Sequence, residues 1–418
     1  MIPRVARPLA GVAAMMLIAS SARGQTPIPE PVSVDTGYVT YEPGTVSLPL
    51  GVGFRIPSYD RVDGLSLRWG PVISIGKGRL RIDPTVTYRS HLGKVDPALR
   101  IVVSSPGGFG VELNGARGTF TNDGWIRSDV VNSAAAFGVG SDARNYFRAD
   151  RANLELSQSI ANDSAHFRFA GIAQTENGWS TGSRDSASGT PWSVFGRTDE
   201  LRMRRPNPAV WQGHITSGFG RFNVSYARDQ VTAALDALVE RAFDVRVDEP
   251  LFPAGPQVLD APPPPTRIRH TENFTQITIG SKATFPTFGT QSFTFRGRFV
   301  GSAGSAPPPQ RYVYLGGGGT LATVDLLALG GDRLLYVEGE YAVPIDRLVL
   351  PFVGSPSLVA RYAAGSAGVG ELPDLIQNLS AGVSLRLLKI QYHFDPNYRK
   401  TAFTKEHAVT VGVSLPAF

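Results

Sequence analysis

Residues 331–345 read GDRLLYVEGEYAVPI. Leu335, Val337, Tyr341 and Val343 fall in one parity, and Glu338 and Glu340 in the other. A period of two is that of a strand whose two faces meet different environments. An apolar face backed by a carboxylate-bearing face fits the wall of a soluble sandwich or the wall of a membrane barrel.

The same alternation recurs along the chain. In VSLPLGVGFRI, Val46, Leu48, Leu50, Val52, Phe54 and Ile56 share a parity. In RLRIDPTVTYR, Leu80, Ile82, Val86 and Tyr88 oppose Arg81, Asp83, Thr85, Thr87 and Arg89. In QSFTFRGRF, Phe293, Phe295 and Phe299 oppose Thr294, Arg296 and Arg298. The pattern predicts sixteen strands, near 45–56, 64–75, 79–89, 98–104, 108–117, 151–161, 164–175, 209–219, 221–230, 272–281, 289–300, 333–343, 356–364, 378–386, 389–395 and 405–415. In VSLRLLKIQYHF the apolar parity switches between Leu387 and Ile390, which places a tight turn near Leu388. Short turns are expected at 76–78, 106–108, 162–163 and Gly220, alternating with long connections near 118–150, 176–208, 231–271 and 301–332. VTAALDALVERAF, within the third of these, has helical spacing at Val231, Leu235, Leu238 and Val239, and reads as a loop helix or as an extension of the ninth strand.

Several strands approach the nine to eleven residues that a tilted membrane strand needs. Their polar faces carry repeated charges, which a dry core tolerates only when paired. The expected fold class is therefore all-β, a transmembrane antiparallel β-barrel of sixteen strands with long external loops and short periplasmic turns. Glu338, Glu340, Glu112, Arg296 and Arg298 are expected to face its lumen.

MIPRVARPLAGVAAMMLIASSARGQ opens the chain with Arg4 and Arg7, an apolar stretch from Leu9 to Ile18, and the small-residue site Ala22-Arg23-Gly24. That is the plan of a secretory signal peptide over 1–24, followed by a short periplasmic segment, 25–44, and a barrel over 45–418. Losing the three arginines of the signal lowers the formal charge from +6 to +3, which is no footprint for nucleic acid. No later segment offers eighteen consecutive apolar residues. The absence of cysteine removes disulfides, thiolate metal sites and cysteine nucleophiles.

No catalytic, cofactor or metal site is expected. The six histidines are scattered, and Asp163, Ser164 and His166 crowd one turn, where sequence neighbours do not make a nucleophile–base–orienter arrangement. GVGSDARN lacks the lysine of a phosphate loop and precedes no helix. The pair Glu338 and Glu340 suits ion selectivity better than hydrolysis.

The tail, YLGGGGTLATVDLLALGGDRLLYVEGEYAVPI followed by PSLVARYAAG and NLSAGVSLRLLKIQY, resembles the surface-antigen barrel of the outer-membrane assembly superfamily, which includes the BamA-, TamA- and FhaC-like proteins. The matching positions are Leu315-Gly316-Gly317, Gly331-Asp332-Arg333, Glu340-Tyr341 and Pro344, and the resemblance is strongest over 311–418. HAVTVGVSLPAF is similar to the C-terminal targeting strand of outer-membrane barrels, through Thr410, Gly412, Leu415 and Phe418. The resemblance implies a bacterial outer-membrane location and a part in inserting or translocating proteins or lipids. Implied partners are outer-membrane lipid and lipopolysaccharide, the assembly machinery during biogenesis, and an unidentified periplasmic partner. Periplasmic receptor domains are not expected in the stretch before residue 45. ATVDLLA holds no counterpart of the family's Arg-Gly-Phe/Tyr loop tip. A passive channel or structural surface protein is thus the alternative, and an outer-membrane hydrolase the third reading. Without that tip, loop 301–332 is expected to be loosely held, with Arg333 as the cation and Glu338, Glu340 and Glu112 as its acceptors.

Overall fold

A computed structural model describes residues 45–181, 192–195, 207, 210, 212–250, 266–271, 273–348, 355–385 and 388–413. The expected signal peptide and the segment 25–44 lie outside the described residues, as do Leu415 and Phe418 of the expected targeting strand. The chain divides into two compact units.

Of the described residues, the first unit holds 45–103, 132–142 and 192–195. It holds β1 (Thr45–Ser47), β2 (Ser58–Asp60), β3 (Gly64–Trp69), β4 (Val72–Ile75), β5 (Leu80–Arg89) and most of β6 (Lys94–Ser104). All pair antiparallel: β1 with β4, β2 with β3, β5 with β3, β4 and β6. The first expected strand, 45–56, is broken after β1 by a 3₁₀ turn at Pro49–Gly51. Pro49 has no N–H to give a ladder, and Leu50 and Gly51 take positive φ, which ends the extended run. The turn expected at 76–78 forms, with Gly76, Lys77 and Gly78 all at positive φ. Helix α1 (Asp129–Val139) was not signalled by the strand pattern. It ends where Gly140, at φ 66°, returns its N–H to Ala136 O. Within this unit the backbone N–H of Tyr59 donates to Ser133 Oγ on α1, 2.6 Å.

The second unit holds the described residues of 104–131, 143–181 and 207–413. Its sheet is a meander of β7 (Phe109–Phe120), β8 (Phe147–Ala161), β9 (Ala165–Trp179), β10 (Gly213–Arg228), β11 (Val231–Pro250), β12 (Thr266–Thr271), β13 (Phe274–Pro286) and β14 (Ser292–Gly304). It continues past the two-stranded ribbon β15 (Val313–Leu315) and β16 (Leu329–Gly331) into β17 (Arg333–Pro344), β18 (Ser357–Gly368), β19 (Ile376–Ser384), β20 (Leu388–Phe394) and β21 (His407–Val413). Each strand of the meander pairs antiparallel with the next, β11 pairing with both β12 and β13 and β14 with β17.

Two sequence expectations are corrected here. Gly220 is not a turn: β10 runs through it, pairing Gly220 with Gly171 on one side and Val239 on the other. The hairpin sits at Asp229 and Gln230, both at positive φ (50° and 69°), as a two-residue turn between twisted strands requires. The stretch from Val231 is accordingly a separate strand of 20 residues, neither a loop helix nor an extension of the expected ninth strand. The turn expected near Leu388 is present, with Leu385 N–H donating to Leu388 O.

One face of this sheet is apolar and open. Phe295, Phe299, Leu358, Tyr362, Ile390 and Val411 are exposed there. On the other face, which we call the covered face, lie Arg296, Glu338, Arg361, Asn378 and His393, half-buried or buried. The register sets this division, since Phe295 stands opposite Gly339 and Arg296 opposite Glu338. Among the described residues no helix is long and apolar enough to cross a membrane.

Candidate functional site

The covered face is covered by the segment between β14 and β17. Its ends form the β15–β16 ribbon, with Val313 opposite Gly331 and Leu315 opposite Leu329. Between them the chain knots into a tight turn. Gly317 N–H donates to Leu321 O and Val324 O, 3.0 Å each; Thr320 N–H donates to Gly317 O at 2.9 Å; and Gly316 N–H donates to Thr320 Oγ1 at 2.9 Å. Gly316 takes φ 121°, and a Cβ there would lie 2.1 Å from Asp325 O, so only glycine fits.

The turn is seated by an apolar cluster. Val313, Leu315, Leu321 and Val324 pack on Val300 of β14, Leu334 and Tyr336 of β17, and Ala363 and Ala367 of β18. Fully burying such a side chain is worth ~1.5–3 kcal/mol relative to leaving it in water. Trp125 and Phe403 border the same cluster.

Around the cluster stand two polar clamps. In the first, Arg296 Nη2 donates to Gly319 O (2.7 Å) and Arg361 Nη2 to Thr320 O (2.8 Å). The same two nitrogens hold Glu338 Oε2, at 2.9 and 2.7 Å. Tyr336 OH donates to that carboxylate and accepts from both arginines. Three adjacent strands thus supply a cation pair with a single carboxylate between them, and the same two guanidinium nitrogens also hold the loop carbonyls. In the second clamp, Arg311 of the loop reaches across to β9 and β11. Its Nη1 lies 2.9 Å from Glu176 Oε1, and its Nε lies 3.0 Å from each oxygen of Glu240. All three are buried: Arg311 is 6% exposed, Glu176 1% and Glu240 4%. Burial works against the Arg311 charge, but the two carboxylates outweigh it and hold the guanidinium above its ordinary pKa. Glu176 is shared with Arg151, 2.5 Å away on Oε2, and Glu240 accepts from Ser217 Oγ at 2.7 Å.

The far end of the turn is stitched to the segment before β21. Val324 forms a β-bridge with Thr404, Asp325 N–H donates to Phe403 O (2.8 Å), and Lys405 Nζ lies 2.5 Å from Asp325 Oδ1.

The expected lumen residues are distributed as follows. Arg296 and Glu338 meet in the first clamp. Glu340 pairs instead with Lys389 of β20. Arg298 lies 5.8 Å from the Trp125 ring centre. Glu112 stands on β7 opposite Glu155, which is engaged by Arg168. Arg333 does not reach Glu338 or Glu340; its Nη2 donates to Ser302 O at 3.3 Å. Thr410 Oγ1 lies 2.7 Å from His393 Nε2, whose ring carries Ser380 Oγ at 2.6 Å on Nδ1, and Gly412 stands opposite Lys389. His393 therefore has a hydroxyl on each nitrogen, a link between strands rather than the carboxylate-oriented base of a hydrolase.

The expectation of a loosely held loop is corrected. Arg311, Glu176, Glu240 and Arg361 carry the clamps, and sequence reading singled out none of them. Nor does the glycine run loosen the turn, because Gly317 and Gly319 sit where a Cβ would strike Leu326 or Ile126 at 2.6 and 2.5 Å.

No family model and no curated protein sequence matches this chain. Among solved structures it is similar to CdiB from Escherichia coli, with 13% identity and a TM-score of 0.46, covering 90% of this chain and 63% of that one. It is similar to BamA from Haemophilus ducreyi lacking POTRA domains 1-3, with 10% identity and a TM-score of 0.49, covering 89% and 70%. For CdiB from Acinetobacter baumannii the values are 11% and 0.45, covering 85% and 58%. The chain thus spans just under two thirds of the length of the CdiB structures.

Proposed function

We propose that this chain is a bacterial outer-membrane β-barrel, closed by sixteen passes, whose loop 305–332 plugs the lumen and is displaced when a protein or lipid is inserted or translocated. The observation that carries this reading is the clamp in which Arg296 and Arg361, bridged by Glu338, hold the carbonyls of Gly319 and Thr320. A loop held this way closes a passage that the charged covered face would otherwise line with water. The open apolar face supports a lipid environment, since lipid-facing and lumen-facing residues alternate in such walls. The tail motifs support the surface-antigen superfamily, and Thr410, Gly412, Leu415 and Phe418 are its proposed handle for the assembly machinery. Residues 1–24 act as the export signal.

The purified protein in planar bilayers tests the plug. The intact chain is expected to stay closed, while a chain with residues 305–332 replaced by a short Gly/Ser linker conducts steadily. If the deletion variant fails to insert, the Glu338→Gln/Arg361→Gln variant serves, with frequent openings expected. Equal conductance of intact and altered chains refutes the plug, and steady conductance of the intact chain favours the passive-channel reading.

A further inference from the structure

The open face of the second unit carries a hollow of about 560 Å³ that neither the plug nor the clamps use. It is a shallow, open depression in the sheet surface rather than an enclosed cavity. Its centre is a register row across four strands: Leu156 of β8, Gly171 of β9, Gly220 of β10 and Val239 of β11. The next row supplies its floor, where the Phe169 and Phe222 rings meet tilted by 35° with centres 4.8 Å apart.

The glycines make the hollow, and local structure does not require them. Neither has a positive φ, and a Cβ on either would meet nothing within 4 Å. Glycine weakens a strand interior, so two side by side need another reason. Elsewhere on this face several glycines are roofed by neighbouring rings, although Gly115 of β7 is open like Gly171 and Gly220. Phe293 stands 3.0 Å from where a Cβ on Gly339 would lie, Phe299 as close to one on Gly301, and Phe243 2.9 Å from one on Gly218. Leu156 and Val239 flank the Gly171–Gly220 gap at this level, and it is left open.

Two residues along β11 from Val239, about 7 Å at strand rise, stands Arg241, opposite Gly218 and exposed. Its one described bond is from Nη1 to Thr275 Oγ1, 2.8 Å. Just beyond it the open face turns polar on β9 and β10, with Thr175 opposite Thr216 and Asn177 opposite His214, while Phe243 of β11 stays exposed. An outward cation at the point where an apolar face gives way to hydroxyls, above an apolar slot, complements a phosphate attached to a hydrocarbon chain.

We infer that this hollow is a binding site for a phosphorylated, acylated lipid, its phosphate on Arg241 and one acyl chain laid over Gly171 and Gly220 against the Phe169–Phe222 floor. This rests on the reading of the chain as a membrane-spanning barrel. Native mass spectrometry of the detergent-purified full chain tests it, using phosphorylated lipid A and dephosphorylated lipid A as probes. The wild type is expected to retain one lipid A and to prefer the phosphorylated form at least ~10-fold. Arg241→Gln should remove that preference. Gly220→Val and, separately, Gly171→Val should lose either adduct by filling the slot, both being compatible with a strand. Equal retention of both probes by wild type and variants overturns the site. So does a protein dimer, without lipid, that Gly220→Val abolishes, because the hollow is then a contact between copies. Heat-modifiable gel mobility of each protein reports the folded barrel separately. Its absence in the wild type counts against the membrane reading, and its presence beside unchanged lipid binding counts against the site alone.

Discussion

Arg311→Met removes the loop side chain that crosses to β9 and β11, and the two carboxylates it leaves behind respond unequally. Glu176 keeps Arg151, whose Nη2 is 2.5 Å away. Glu240, with 5% of its side chain exposed, keeps the Ser217 hydroxyl and loses its cation. Breaking a buried ion pair by deleting one partner costs ~3–5 kcal/mol, because a charge is stranded. The loss should therefore sit near the lower figure and be set by Glu240. That is roughly a hundredfold in the local docking equilibrium, at ~1.4 kcal/mol per decade. The remaining anchors confine the effect. Leu321 and Val324 stay in the apolar cluster, and Gly319 and Thr320 stay on Arg296 and Arg361. Site-resolved hydrogen exchange on the protein in detergent reads this directly. The amides of Arg311, Tyr312 and Leu315 should exchange roughly a hundredfold faster in Arg311→Met, while those of Gly317, Thr320 and Val324 hold near wild type. Adding Glu240→Gln should recover much of the protection by removing the stranded charge. Unchanged protection at residues 311–315 refutes the assignment of Arg311 as an anchor. Uniform loss across 311–324 refutes the division into two clamps.

Three further outcomes follow from the same structure. Leu321→Ala, at a fully buried position of the cluster, should destabilise by ~2–5 kcal/mol, read from the urea midpoint of folding into liposomes. Phe295→Arg, on the open face, should cost ~2–4 kcal/mol if that face meets hydrocarbon, whereas Thr294→Arg, on the covered face beside Arg296, should fold in near wild-type yield. Gln230→Gly, which relieves a φ of 69° in the β10–β11 hairpin, should stabilise by ~1 kcal/mol in the same urea titration.

The wall was legible in the sequence because alternation is local. Leu335, Val337 and Tyr341 against Glu338 and Glu340 need only their own strand to declare two faces, and the register confirms the division. Alternation failed where a strand carries apolar residues on both sides. Leu238 of β11 points the same way as Asp236 and Glu240, so it interrupts the period and mimics helical spacing with Leu235. Gly220 was misleading for a related reason: its usefulness in turns is a property of the residue, but here its context is a ladder on both sides. The clamps were out of reach of local pattern altogether. Arg311 meets Glu240 across 71 residues and Glu176 across 135, and a lone arginine after Pro307-Pro308-Pro309 gives no sign of either. The one available signal was Glu338, a carboxylate in a strand beside Arg296, and it led to half of the first clamp.

The bridge between Val324 and Thr404, with Lys405 on Asp325, ties the plug to the stretch of chain that comes just before β21. The two partners of that ion pair are 80 residues apart, so the later one is synthesised well after the earlier. The tie at Val324 and Asp325 therefore waits for residues 404–405 to be in place, even with Gly319 and Thr320 already on Arg296 and Arg361. A molecule still lacking that stretch and β21 would carry an unlatched turn with Leu321 and Val324 missing part of their cover. Access of a protease to that turn would then distinguish a chain in which residues 401–413 are not yet placed from a finished one.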